Sequence, residues 1–186
     1  MTATQVRLWT VKEYHQMMAA GVFNPEERAE LLEGQILRMT AKNPPHAATN
    51  LCAANILNLA LAGRALIRIQ DPIALSPTSE PEPDIAVVQL DKQFYLHRHP
   101  APNEVFLLVE ISDTTLDYDR LQKAPAYAQA GILEYWILDV NSYQLYRFLQ
   151  PQGGKYQKEQ VLNEEAVVSP IAFPDVSIEV AQLFPI

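Results

Sequence analysis

The sequence predicts an α+β or mixed α/β domain built on one sheet, and three observations carry that prediction. Helical patterns are interleaved with strand patterns in the order helix, hairpin, helix, strands, helix, strands. One segment, "EVFLLVEI", is apolar on both faces, as a central strand is. The second half holds strand-length runs separated by turn residues at Asn141-Ser142 and Gly153-Gly154. The 186 residues, 48% of them hydrophobic, fit a single domain over 1–186 with a sizeable core.

Taken in order, "TVKEYHQMMAAG" reads as a short amphipathic helix. Thr10 and Glu13 form a capping box, Val11, Tyr14, Met17 and Met18 share a face, and Gly21 closes the end. "ERAELLEGQILRM" reads as two strands around a Glu33-Gly34 turn. The segment from His46 to Gly63 is a long helix, apolar around much of its surface through Leu51, Ile56, Leu59 and its alanines, and is expected to be well buried. "ALIRIQ", "PIALS" and "PDIAVVQL" read as strands before the central one. "TLDYDRLQKAPAYAQAG" has helical spacing and a closing Gly131. Pro125 either kinks it or marks a later start of regular helix. "EYWILDV", "YQLYRFL" and "KYQKEQVL" are strands, and "VSIEVAQLF" closes the chain as a strand or short helix.

One cysteine, Cys52, excludes an internal disulfide framework and fits a reducing compartment; its place in the helix suggests a small core residue. The start "MTATQVRLWT" has no apolar signal core, and no run approaches membrane-spanning length, so a soluble cytoplasmic protein is expected. The formal charge of −8 argues against broad, sequence-independent nucleic-acid binding. That sum includes any acidic metal site, whose ion restores positive charge locally.

The chemistry-bearing pattern is a pair of acids at strand ends. Asp84 opens its strand and Glu110 ends the central one. If the two strands pair antiparallel, Asp84 faces Glu110, Ala86 faces Leu108, and Val88 faces Phe106, all on one side of the sheet. Opposed residues have Cβ atoms about 4.5–5.5 Å apart. Two carboxylates so placed raise each other's pKa, and a divalent cation relieves the repulsion; all-oxygen donors favour Mg²⁺, Mn²⁺ or Ca²⁺ over zinc. The plain alternative is that each acid faces solvent.

A basic partner comes from the next helix. Arg120, Lys123 and Tyr127 recur at helical spacing and would share a stripe. By composition alone Lys123 reads as a snorkelling lysine; the sharper reading is that it delivers an ammonium to the carboxylates. Glu30, ahead of the hairpin turn, is a candidate third acid within a segment rich in solvated acids. His46, at the helix start, is a candidate substrate-binding group. Lys92, His97, Arg98 and His99 form the compact basic cluster. No phosphate-cradling Gly-rich loop, nucleophile elbow or zinc spacing is present.

"AELLEGQIL", "PPHAATNL", "EPDIAVV", "LLVEIS", "YDRLQKAPAYAQAGILEYWILDV" and "AQLF" resemble, in order, the landmarks of the Uma-type restriction-endonuclease family, part of the PD-(D/E)XK nuclease superfamily. The resemblance implies a restriction-endonuclease-like mixed sheet flanked by helices, with metal-dependent phosphodiester hydrolysis at one sheet edge. It makes Asp84 and Glu110 the metal-binding acids, Glu30 the acid of the leading hairpin, His46 the histidine opening the helix, and Lys123 the lysine of the following helix. Ser112 stands where the parent motif has lysine, a departure shared by members whose lysine has moved to that helix.

The expected function is therefore a Mg²⁺- or Mn²⁺-dependent endonuclease acting on DNA. Its catalytic residues would be Asp84, Glu110, Lys123 and Glu30; its metal ligands would be Asp84 and Glu110. His46, Arg120 and Ser112 would contact substrate, and a homodimer is expected. Two alternatives stand beside it: a catalytically inactive binding or assembly module of the same fold, and a phosphodiesterase for small nucleotides. The acidic balance and Ser112 favour the former, and the scarcity of basic residues favours the latter.

Overall fold

The computed structural model describes residues 5–24, 26–39 and 41–185. Helix α1 (Val11–Ala19) begins on Thr10, whose hydroxyl accepts from the Glu13 amide while the Glu13 carboxylate accepts from the Thr10 amide. Strands β1 (Ala29–Leu32) and β2 (Gln35–Arg38) form a hairpin whose turn residues Glu33 and Gly34 both have positive φ, 48° and 76°. A Cβ on Gly34 would lie 2.6 Å from the Leu8 Cβ, so this turn needs glycine for space as well as for conformation.

Helix α2 (Pro44–Ala60) starts two residues before His46, because Pro44 and Pro45 fill its first positions and Asn43 caps it, accepting from the His46 amide. It is less buried than its composition suggests. One stripe, including Ala53, Ala54 and Leu57, lies on the sheet, whereas Leu51 and Leu59 are 72% and 68% exposed because none of the described residues covers the far side. Cys52 is half-buried, its Sγ 3.3 Å from the Gln182 carbonyl, and sits at the margin of the core.

The main sheet has six strands in the order β3 (Leu66–Ile69), β4 (Ile85–Val88), β5 (Val105–Ser112), β6 (Glu134–Asp139), β7 (Gln144–Gln152) and β8 (Lys155–Leu162). Every neighbouring pair is antiparallel except β5 and β6. That parallel pair requires a crossover, which the third helical region supplies. "PIALS" is not a strand: its amides at Ile73 and Ala74 bond to the carbonyls of Pro81 and Pro100 in neighbouring loops, and Ile73 and Leu75 are buried. The C-terminal segment is both things its sequence allows. Strand β10 (Ile178–Glu179) pairs with β9 (Val167–Val168), and a 3₁₀ turn follows at Val180–Leu183.

The crossover is a continuous helical run of three parts: α3 (Leu116–Tyr118), a wide π turn (Asp119–Lys123) and α4 (Ala124–Gln129). The Ala124 amide closes the wide turn on the Asp119 carbonyl, and Pro125, which has no amide to offer, is the second residue of α4. Side chains of β5 alternate between two cores. Leu107, Val109 and Ile111 join Trp136 and Leu57 under α2. Leu108 joins Ala86, Tyr127, Tyr135 and Ile137 under α4. In the first core's sheet, fully buried Glu134 accepts from Arg147 Nε (2.7 Å), Trp136 Nε1 (2.8 Å) and the Ile171 amide (2.6 Å).

Candidate active site

The β4–β5 register pairs Ile85 with Val109 and Ala86 with Leu108, so one step further Asp84 stands opposite Glu110. At the other end a bulge between Val87 and Val88 puts Val88 opposite Val105 instead of Phe106, and Phe106 turns to the other core to meet Phe173 edge-on at 5.2 Å. The bulge lies away from the acids and leaves their pairing intact.

Glu110 is 3% exposed. Its Oε1 accepts from Lys123 Nζ at 2.9 Å and from Tyr127 Oη at 2.8 Å. The crossover therefore brings a buried ammonium back to the strand end where the strand itself carries Ser112. Lys123 Nζ is also 3.6 Å from Glu30 Oε1, and Glu30 Oε2 accepts from the Glu82 amide at 3.0 Å, which ties the β1–β2 hairpin to the segment leading into β4. Asp84 Oδ2 accepts from the Ile111 amide (2.9 Å) and lies 3.1 Å from His46 Nε2. Its Oδ1 accepts from Gln70 Nε2 (3.0 Å) and lies 3.8 Å from Lys42 Nζ. Asp119, on the wide turn, accepts from the Thr115 hydroxyl at 2.7 Å. All of these interacting residues except Gln70 and Tyr127, which support it from behind, line a cavity of about 370 Å³.

Glu30, Asp84, Glu110, Lys123 and His46 all reach this cavity; Arg120 and Ser112 do not. The wide turn takes more residues per revolution, which rotates Arg120 away from Lys123, so the two do not share a stripe. Arg120 bonds Glu159 on β8 at 2.7 Å and lies over the Tyr146 ring at 5.1 Å. Ser112 is fully buried behind the cavity wall, its Oγ 3.5 Å from the Thr115 hydroxyl. The basic cluster Lys92, His97, Arg98 and His99 sits on the β4–β5 loop, at the opposite end of β4 from Asp84, and Arg98 is taken by Glu104 at 2.5 and 2.7 Å.

Sequence reasoning missed Lys42, Gln70 and Asp119 and left Tyr127 without a role. Tyr127 lies one turn after Lys123, so its place beside Glu110 follows from helical spacing. Gln70 follows from the β3–β4 register, in which Ile69 pairs with Ile85. Lys42 and Asp119 carry no such signal, because one precedes a helix cap and the other sits on the irregular turn.

Burial dominates the electrostatics. It pushes the Glu110 carboxyl up to about 8 against the attraction of Lys123, with Asp84, Asp119 and Glu30 adding to the rise. Burial likewise lifts Asp119 to about 6. At Asp84 the same penalty is outweighed by His46, the Ile111 amide and Lys123, which hold it below the ordinary carboxylate value. Burial opposes the charge on Lys123, but Glu110, Glu30 and Asp119 overcome it and keep the ammonium charged. Lys42 is lowered by burial, with Asp84 opposing.

Six acids line the cavity (Glu30, Glu82, Asp84, Glu110, Asp113, Asp119) against three cations, Arg38, Lys42 and Lys123. Such an excess suits a divalent cation. Among the described residues no three His, Cys, Asp or Glu side chains group closely enough to hold a metal by themselves. Asp84 and Glu110, opposed across the sheet, offer carboxylate oxygens of the kind Mg²⁺ takes, with one or two carboxylates and the rest of its octahedron filled by water and phosphate oxygens.

A solved structure described as "a putative nuclease belonging to DUF820" from Anabaena variabilis ATCC 29413 superposes with a TM-score of 0.71 at 17% identity, covering 94% of this chain and 97% of its own. The two share a fold. A comparison with curated proteins gives no match. Among the described residues no helix is long and apolar enough to cross a membrane. The sequence model of the Uma2 family, described as "Putative restriction endonuclease", matches residues 11–181, and the chain belongs to that family.

Proposed function

We propose that the chain hydrolyses phosphodiester bonds of DNA, with a Mg²⁺ or Mn²⁺ ion held by Asp84 and Glu110. The observation that carries this reading is the 2.9 Å contact from Lys123 Nζ to Glu110, an ammonium supplied by the crossover helix to an acid paired across the sheet with Asp84. When bound, the ion supplies Lewis acidity toward phosphoryl oxygen and water. Lys123 offers positive charge where the phosphorane builds negative charge, from a position fixed by burial. Tyr127 and Lys123 both hold Glu110 Oε1 and so fix that carboxylate's rotamer. His46 and the Ile111 amide do the same for Asp84. Glu30, 3.6 Å from Lys123 Nζ, would serve as a further ligand or a water-orienting group. Residues 1–186 act as one cytoplasmic unit, and a two-fold dimer would present one cavity to each strand of a duplex.

The acidic lining favours a second reading, a phosphodiesterase for small nucleotides, which need fewer phosphate contacts than a duplex. One experiment tests both. Supercoiled plasmid and a small phosphodiester are offered to the protein with Mg²⁺ or Mn²⁺, with Asp84→Ala and Glu110→Ala as controls. The nuclease reading expects plasmid cleavage that needs the ion and is lost in both variants. Cleavage of the small diester alone supports the second reading, and cleavage surviving both substitutions sinks either.

A further inference from the structure

We propose that Lys42 is the residue that grips the substrate's phosphate backbone at this site, an inference that rests on the nuclease reading above. Of the three cations lining the cavity, one is already bonded and another lies open to water. Lys123 is bonded to Glu110 and faces Glu30, and Arg38 is largely exposed, 3.8 Å from Glu27. Lys42 differs. Its Nζ is shut off from bulk water, and among the described residues it has no hydrogen-bond partner. Asp84 Oδ1, at 3.8 Å, attracts it without bonding it. An ammonium with three unsatisfied N–H donors on a cavity wall is costly unless an acceptor arrives. Phosphate oxygens are the acceptors that the neighbouring acids are arranged to act upon.

The backbone at Lys42 is also anchored. Lys42 directly precedes Asn43, whose side chain both caps α2 and donates to Asp113 across the cavity mouth. The α2 N-terminus cannot do this work itself. Pro44 and Pro45 have no amide hydrogens, and the His46 and Ala47 amides are taken by Asn43. The lysine side chain thus supplies the anion contact that the helix end withholds.

The test reads binding, not turnover. A fluorescent duplex oligonucleotide is titrated with full-length protein in Ca²⁺, which takes the place of Mg²⁺ so that cleavage does not interfere, over a series of salt concentrations. Lys42→Met keeps the aliphatic stem, Lys42→Arg keeps the charge, and Lys158→Met controls for loss of an exposed, remote lysine on β8. The expected result is affinity about tenfold weaker in Lys42→Met. Its salt slope should be shallower by about 0.9, the value of one lost phosphate contact on B-form DNA. Lys42→Arg should restore the wild-type slope, and Lys158→Met should keep it. An unchanged slope in a folded Lys42→Met overturns the proposal even if activity falls, since a lysine that only steadied Asp84 would release no counterion. Should Lys42→Met fail to fold, Lys42→Gln takes its place: a slope shallower by about 0.9 supports the proposal and an unchanged one overturns it. Wild-type protein that binds no duplex overturns the nuclease reading itself.

Discussion

Glu110 carries two donors on one oxygen, and its behaviour depends on both. Removing the Tyr127 hydroxyl while leaving the ring takes away a bond that favours the ionised acid. Tyr127→Phe is therefore expected to cost about 1 kcal/mol of stability. It should also raise the Glu110 pKa further, moving the acid limb of a cleavage pH–rate profile toward higher pH with a smaller effect at the alkaline plateau. An unmoved limb would mean that Glu110 ionisation does not limit the reaction. At this scale the sequence was legible where a strict period applies. Side chains two apart in a strand share a face, so Asp84 and Glu110 could be set opposite each other from strand ends alone. Arg120 and Lys123 could not be separated in the same way, because the spacing between them assumes a regular helix and the wide turn breaks it.

At the scale of elements, the crossover shows why that irregularity matters. Pro125 forbids one helical amide bond, and the turn before it widens to five residues, which buries Asp119 and Lys123 on the cavity side. The proline was readable as a disturbance; the form of the disturbance depended on what the turn packs against. The same limit applied to α2, whose apolar leucines look buried by composition, although a helix on one face of a sheet has an outer side whatever it carries. A separate element-level prediction concerns β6 and β7. Glu134→Ala strands the Arg147 guanidinium and the Trp136 and Ile171 donors, and is expected to destabilise the fold by about 3–5 kcal/mol, with Glu134→Gln costing less. Urea unfolding of the two variants measures this. A loss under about 1 kcal/mol in Glu134→Ala would show that the pair contributes little to the sheet.

For the whole molecule, the concentration of acids around one cavity couples stability to pH. Glu110 near 8 and Asp119 near 6 both lie above their ordinary values of 4.5 and 3.8. The folded chain therefore holds these protons more tightly than the unfolded chain. The resulting stabilisation is complete below the ordinary values and is lost as pH rises through about 6 and then about 8. Asp84 runs the other way: its contribution is present above its ordinary value and falls away below it. Metal-free protein should thus be more stable to urea at roughly pH 5.5 than at roughly pH 8, and Mn²⁺ should stabilise it more at the higher pH, where protons no longer compete for the carboxylates. Equal stability at the two pH values, with no response to Mn²⁺, would contradict this reading of the cavity.

In the proposed mechanism Glu110 and Lys123 form one half of a cation-dependent phosphodiester-cleaving centre whose other half is Asp84. Single-turnover cleavage of a duplex in Mn²⁺, comparing wild type with the near-isosteric Glu110→Gln and with Lys123→Met, addresses it most directly. Rates lower by about 10²–10⁴-fold are expected in each variant, with little change in duplex affinity. Wild-type protein that cleaves no duplex, or variants that cleave within about tenfold of it, would rule out this centre.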